Sequence, residues 1–199
     1  GWVTNSFCTV LVTGDNNVGG FSGYHAGTGC IANCYSTGAV AGDSSVGGFI
    51  GQRYGCVFNS FWDTETSGQV ESMGGLGLTT VQMYDRQAYL DAGWDWVGER
   101  DNGIAETWQM PEAGGYPQLS IFHGREPVLA EGEGTADSPY EVHAVEDLGA
   151  IALQPSAHYR LEADLDLSGI TWNVAVIPYF GGTFDGNGYR IRNLHIEGG

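Results

Sequence analysis

The sequence predicts an all-β chain, a right-handed parallel β-helix (solenoid) with two short capping helices. Three observations carry that prediction. First, Gly1-Trp-Val-Thr-Asn5-Ser-Phe7 returns as Gly29-Cys-Ile-Ala-Asn33-Cys-Tyr35 and again as Gly55-Cys-Val-Phe-Asn59-Ser-Phe61, a period of about 26 to 28 residues. Second, the first two copies share a second half, Gly14-Asp-Asn-Asn-Val18-Gly-Gly-Phe21 against Gly42-Asp-Ser-Ser-Val46-Gly-Gly-Phe49. Third, the β-forming runs, Val3 to Val12 and Val18 to Phe21, are short, and glycine, asparagine or aspartate closes each one, supplying the positive φ that tight corners need.

One such coil cannot bury its apolar side chains alone. Equivalent positions on successive coils lie one strand spacing apart, roughly 4.8 Å, so stacking creates a continuous interior. The alignment then places Val3 over Ile31 over Val57, Phe7 over Tyr35 over Phe61, and Val18 over Val46. Asn5, Asn33 and Asn59 form a predicted asparagine ladder at the corners.

Residues 1–68 read as the first block of coils. Residues 69–122 follow as a helix plus a tryptophan-rich flap or cap. The helix spans Thr79 to Asp91, where Thr79 and Gln82 have the spacing of a capping box, Val81, Tyr84 and Ala88 share a face, and Gly93 supplies the stop. Residues 123–138, polar and rich in glycine and glutamate, read as a linker. Residues 139–199 read as the helix-capped start of a second coil block: a helix from about Ala144 to Leu153 ended by Pro155, an alternating strand from Tyr159 to Leu167, and a new coil from residue 180. Helices at the mouth of a coil protect open strand edges from aggregation.

Asn33-Cys-Tyr-Ser-Thr-Gly-Ala-Val-Ala-Gly42 and Val46-Gly-Gly-Phe-Ile-Gly51 resemble the GLUG motif, a short repeat of large bacterial surface and secreted proteins. Ser60-Phe-Trp-Asp-Thr-Glu-Thr-Ser-Gly68 with Gly75-Leu-Gly-Leu-Thr-Thr80 is similar to the segment that often closes such arrays. Leu161-Glu-Ala-Asp-Leu-Asp-Leu-Ser-Gly169 and Gly182-Thr-Phe-Asp-Gly-Asn-Gly188 resemble one that often opens them. The resemblance covers most of the chain and implies architecture. It implies no reaction, because the family is defined by its repeat.

Composition narrows the partners. The 199 residues carry a formal net charge of −17, with seven arginines and no lysine against 24 acids, which leaves no basic stripe for nucleic acid or an anionic membrane. Absence of lysine also excludes lysine-to-asparagine isopeptide crosslinks. No apolar run approaches the roughly 18 residues of a membrane helix, so membrane insertion is not expected; no signal peptide is visible, so if the protein is secreted its targeting segment has been removed or was never included. Acidity together with 33 glycines suits a solvated scaffold, extracellular or at the cell surface, with calcium a conceivable cofactor.

Four cysteines allow two bridges. Cys30 and Cys56 occupy equivalent positions on adjacent coils, at a separation that a disulfide tolerates. Cys8 and Cys34 are two positions out of register, about 8 Å apart without a bulge, and form the weaker candidate pair. Free thiols packed as small apolar groups are the alternative for all four. Zinc is excluded by the scattered histidines and the absence of paired two-residue cysteine spacing.

Chemistry is sparse. Asp164 and Asp166 share one strand face and are the candidate calcium ligands, although the phrase that holds them also reads as a structural turn. Asp63 and Glu65 sit where the coil ends and read as a cap. No nucleophile elbow, phosphate loop or metalloprotease helix occurs, and no catalytic residue is assigned. Trp94, Trp96, Trp108 and Tyr116 are candidate glycan contacts if they stay exposed and coplanar, and otherwise glue for the flap.

The expected function is a structural or adhesive extracellular module that associates head to tail through open coil ends into a filament or array. The alternative is a carbohydrate-binding or carbohydrate-active domain. Candidate self-association positions are Val3, Phe7, Val10 and Val12 at one edge and Ile191, Leu194 and Ile196 at the other. Ile191-Arg-Asn193 aligns with Val3-Thr-Asn5, and a covalent tail-to-head fusion would leave only about 11 residues between them, too few for a coil. Pairing with another copy and origin as a fragment of a longer surface protein both remain open.

Overall fold

The computed structural model describes residues 1–120, 131–151, 154–173, 175–177 and 179–197. It is an all-β structure with a few short helices, and the chain divides into two compact units, Gly1–Ala92 with Met110–Pro117 and Gly93–Gln109 with Gln118–Gly199. No helix among the described residues is long and apolar enough to cross a membrane.

In the first unit, β1 (Trp2–Cys8), β2 (Val12–Thr13), β3 (Asn16–Gly19) and β4 (Ser22–His25) are followed by β5 (Cys30–Ser36), β6 (Val40–Ala41), β7 (Ser44–Gly47) and β8 (Ile50–Arg53). Each of the first four pairs in parallel with its counterpart in the second four. Val3 lies opposite Ile31, Val12 opposite Val40, Val18 opposite Val46 and Ser22 opposite Ile50. The offset is 28 residues, as in the side-chain contact of Ser44 with Asn16. β9 (Cys56–Phe58) and β10 (Phe61–Asp63) then pair in parallel with β5, placing Val57 opposite Ile31 and Phe61 opposite Tyr35. There the offset is 26 residues, as in the hydrogen bond from Cys34 N to Ser60 Oγ. All the columns expected from the repeat are therefore present.

The corners explain why the register holds. Asn5, Asn33 and Asn59 have φ of 49°, 54° and 48°, the left-handed region in which asparagine is among the most tolerated non-glycine residues. Each extended stretch thus bends at the same point of each repeat. The interior gathers Ile31, Cys34, Phe49, Ile50 and Trp62, with Phe21 and Val57 against them. Phe21 stacks on Phe49 at 4.8 Å between ring centroids. Gly48 lets a ring approach the backbone: a Cβ there would lie 1.9 Å from Trp62 Cε3.

After β10 come α1 (Thr64–Ser67), β11 (Leu76–Leu78), which pairs in parallel with β10, α2 (Thr80–Met83) and α3 (Arg86–Asp91). The capping box at Thr79 is present: Gln82 N donates to Thr79 Oγ1 at 3.4 Å and Thr79 N donates to Gln82 Oε1 at 2.9 Å. The expected single helix from Thr79 to Asp91 is instead two, because Asp85 starts a second one by accepting from Gln87 N at 2.9 Å. That new cap resets the helical phase. Val81 is 78 % exposed, while Met83 and Tyr89 supply the buried contacts in place of the expected face.

The second unit contains β12 (Trp108–Gln109) antiparallel to β13 (Gln118–Leu119), then β14 (Tyr140–Val142), α4 (Val145–Ala150), β15 (His158–Leu161), β16 (Leu165–Asp166), β17 (Thr171–Trp172), β18 (Thr183–Asp185), β19 (Ile191–Arg192) and β20 (His195–Ile196). β14, β15 and β18 form one parallel ladder, β16 pairs with β19, and β17 pairs with β20. Tyr140, Val142, Leu148, Ile151, Tyr159, Leu161, Leu165, Leu167, Ile170 and Trp172 make its core. The expected strand from Tyr159 to Leu167 is broken after Leu161, yet its alternation holds: Leu161, Leu165 and Leu167 are buried, Asp164 and Asp166 exposed. Asp147 Oδ2 accepts from His143 N and Ala144 N at the start of α4. Residues 152 and 153 of the expected second helix, and residues 123–130 of the expected linker, lie outside the described residues.

Candidate interaction edges

β5 is enclosed and β1 is not. β5 carries β1 on one side and β9 with β10 on the other, and all seven of its residues are buried. β1 has β5 on one side and, among the described residues, no strand on the other. Its side chains follow suit. Trp2 is 52 % and Val3 46 % exposed, against 2 % for Ile31 in the same column, and Val10 and Leu11 extend the exposed apolar surface past the strand. Phe7 and Val12 are half-buried, Phe7 because it stacks on Tyr35 at 5.3 Å with the ring planes 6° apart.

The second unit has an edge of the same local shape. β19 and β20 lean on β16 and β17, with no strand beyond them among the described residues. Asn193, at φ 59°, separates them as Asn5 divides β1, and its Nδ2 donates to Asp166 Oδ1 at 2.7 Å. Ile191, Leu194 and Ile196 are 41 %, 53 % and 45 % exposed. Sequence reasoning named these positions but missed Trp2 and Leu11, although Trp2 occupies the repeat position of Cys30 and Cys56.

The cysteines follow the register. Cys30 and Cys56 are opposite each other in the ladder, with Cα atoms 4.6 Å apart, and are joined. The suggested Cys8–Cys34 bridge is absent, since Cys8 faces Ser36 and Cys34 faces Ser6. Both are free thiols, and burial, only partly offset by backbone donors at Ser6 and Ala32, pushes the Cys34 thiol up to about 12.

Asp63 is a buried charge held by four hydrogen bonds. It is fully buried and caps α1, with Oδ1 accepting from Glu65 N at 2.8 Å and Thr66 N at 3.0 Å. Oδ2 accepts from Thr80 Oγ1 and Tyr116 Oη, both at 2.7 Å. Burial alone would raise its pKa, but the bonds from Tyr116, Thr66, Thr80 and Glu65 together hold it below the ordinary value. Glu65 is engaged separately, accepting from Thr80 N at 2.8 Å. Asp63 is thus the N-cap of α1, and Tyr116 and Thr80 tie it to later parts of the chain.

Asp95 behaves oppositely. Burial, reinforced by the nearby charge of Glu99, lifts it to about 7 despite bonds from the Ala105, Glu106 and Thr107 amides. Those bonds tie together the loop that carries the tryptophans.

The candidate glycan contacts require correction. Trp94, Trp96 and Trp108 are 0 %, 1 % and 0 % exposed, and Trp94 packs on Trp108 at 4.6 Å, so no ring face is open to a sugar. Tyr116 is half-buried, stacked on Tyr35 at 6.2 Å with Tyr84 edge-on at 4.9 Å. Asp164 and Asp166 are engaged within the protein. Asp164 accepts from Arg190 N at 2.9 Å and from Arg192 Nη2 at 3.0 Å, and Asp166 Oδ1 accepts from Ser168 N at 3.0 Å as well as from Asn193. Among the described residues no three His, Cys, Asp or Glu side chains are grouped to hold a metal.

No family model matches the chain, and no solved structure matches it. Over 81 residues it is 41 % identical to Halomucin of Haloquadratum walsbyi, a match covering 33 % of this chain and 1 % of that protein. Over 45 residues it is 44 % identical to a protein of Evansella cellulosilytica described as a Gly-rich membrane protein, covering 22 % of this chain and 5 % of that one. The chain thus spans a small fraction of the length of either relative. Its disulfide is compatible with an oxidising, extracellular location.

Proposed function

We propose that this chain is a structural module of an extracellular, surface-associated protein, built as a right-handed parallel β-helix of the GLUG-repeat type. The observation that carries the reading is the parallel register, Val3 on Ile31 on Val57 and Phe7 on Tyr35 on Phe61. Such a ladder makes each repeat the template for the next and stiffens the coils that it joins. The disulfide between successive repeats and the partial likeness to Halomucin and to a Gly-rich membrane protein support a surface location. Its mechanism is passive: backbone ladders, asparagine corners and apolar columns bear load, and the uncovered edges are assembly surfaces that join head to tail.

Sedimentation velocity over a concentration series, with electron microscopy of the same samples, tests this function. Species growing with concentration into strings are the expected result. A sharply monomeric boundary at every concentration would count against the assembly role.

A further inference from the structure

The repeat is shortened at one corner, and the shortening puts an aromatic ring outside. Between β4 and β5 the chain crosses with Ala26, Gly27, Thr28 and Gly29; between β8 and β9 it crosses with Tyr54 and Gly55 alone, and the offset falls from 28 to 26 residues. The short corner is drawn against the first repeat, with Tyr54 N and Gly55 N both donating to His25 O, at 2.8 and 3.3 Å. At Gly55 a Cβ would lie 2.3 Å from His25 Nε2, so no larger residue fits there. The Tyr54 side chain is left outside, 70 % exposed.

Its neighbours are of a particular kind. Tyr24, opposite Gln52 in the ladder and 54 % exposed, meets the Tyr54 ring edge to face, with centroids 5.9 Å and planes 65° apart. Arg53, opposite His25, is exposed and pairs with no carboxylate among the described residues, where the ion-paired arginines are Arg100, Arg160 and Arg192. His25 is engaged already, its Nε2 bonded to Gly29 O at 3.0 Å. β8 has β4 on one side and the Met73 segment on the other, Met73 N donating to Ile50 O at 3.1 Å, so these residues stand on the flank of the stacked coils and not on an open strand edge.

Two open tyrosine rings beside an unpaired guanidinium match a sugar that carries an acid. The apolar face of a pyranose packs on an aromatic ring, and the guanidinium fork takes a carboxylate through two parallel N–H···O bonds. The Gln52 amide both donates to and accepts from hydroxyls. The net charge of −17 opposes an anion at a distance, but physiological salt screens such fields beyond about 8 Å, so the adjacent guanidinium decides.

We propose that Tyr24, Gln52, Arg53 and Tyr54 form a binding site for acidic saccharides, in which a uronate-bearing pyranose lies on the tyrosine rings with its carboxylate on the Arg53 guanidinium. This rests on the stacked-coil reading above, because the parallel register of β4 on β8 is what brings Tyr24 beside Tyr54, and it gives the surface module a ligand.

Titration calorimetry of the full chain with oligogalacturonate, in the presence of a chelator to exclude bridging by calcium, tests the site. The fully methyl-esterified oligomer, with the same rings and no charge, is the comparison. The acidic oligomer should bind, the esterified one at least about tenfold more weakly, and Tyr54→Ala and Arg53→Gln should each weaken the acidic oligomer by at least about tenfold. Both substitutions are at exposed positions and should leave the melting temperature unchanged. No binding of the acidic oligomer, equal affinity for the two oligomers, or binding that survives both substitutions would overturn the proposal. The Cys30–Cys56 linkage in the same samples separates the two failures: its presence keeps the stacked-coil reading while the ligand proposal falls, and its loss removes the reading itself.

Discussion

The hydroxyl of Tyr116 donates a 2.7 Å hydrogen bond to Oδ2 of Asp63, a carboxylate with no exposed surface. Through that bond and the one from Thr80, the residue ending the last strand of the repeats also fastens α2 and the Met110–Pro117 segment. Tyr116→Phe is expected to lower stability by about 1.5–3 kcal/mol, the range for a lost hydrogen bond to a charged group, and Asp63→Ala by more, because the α1 cap is lost as well. Urea unfolding of the variants measures both.

The pKa of Asp63 is lowered on folding, so its contribution is fully present above the unfolded value of about 3.9 and is lost as pH falls through the folded value. Acid unfolding of wild type should be steeper below about pH 4 than that of Asp63→Asn, which has no carboxylate to protonate. Coincident acid transitions would contradict this.

Asp95 acts with the opposite sign. With its folded pKa raised to about 7, the folded state holds a proton that the unfolded state has released between about pH 4 and 7. Its contribution therefore falls as pH rises across that window and levels off above it. Melting temperatures from pH 5 to 8 should show this slope in wild type and a flatter one in Asp95→Asn.

Gly48 and Gly186 should respond differently to alanine. At Gly48 the added carbon would overlap the Trp62 ring, whereas at Gly186 nothing lies within 4 Å. Gly48→Ala is expected to cost about 3 kcal/mol or more, at or beyond the usual overpacking range, and Gly186→Ala less than about 0.5 kcal/mol. Thermal unfolding distinguishes them.

The repeat made the first unit legible. Aligning Asn5, Asn33 and Asn59 was enough to place Ile31, Tyr35, Val46 and Cys56 opposite their partners, because one-residue slips would turn every apolar side chain to the other face. Non-repeating parts were harder to read. The break between α2 and α3 depends on one aspartate side chain finding Gln87 N, and an uninterrupted apolar pattern does not reveal that. Trp94, Trp96 and Trp108 carry no periodicity, so the sequence could not distinguish a buried cluster from a binding platform. The role of Tyr116 depends on a contact across 53 residues.

Reactivity of the remaining thiols follows from burial. Cys34 is buried with its thiol pushed up to about 12, while Cys8 is half-buried at the edge strand. Under native conditions a thiol reagent should label Cys8 first and reach Cys34 only on unfolding. Early labelling of Cys34 would show that β5 is not enclosed.

Peptide mapping under non-reducing conditions, after alkylation of the denatured protein at low pH, tests the in-register stack most directly. The account predicts one bridge, Cys30 to Cys56, with Cys8 and Cys34 each recovered as single alkylated thiols. Any linkage through Cys8 or Cys34, or four free thiols from protein prepared under oxidising conditions, would contradict the 26-residue register on which the stacked repeats rest.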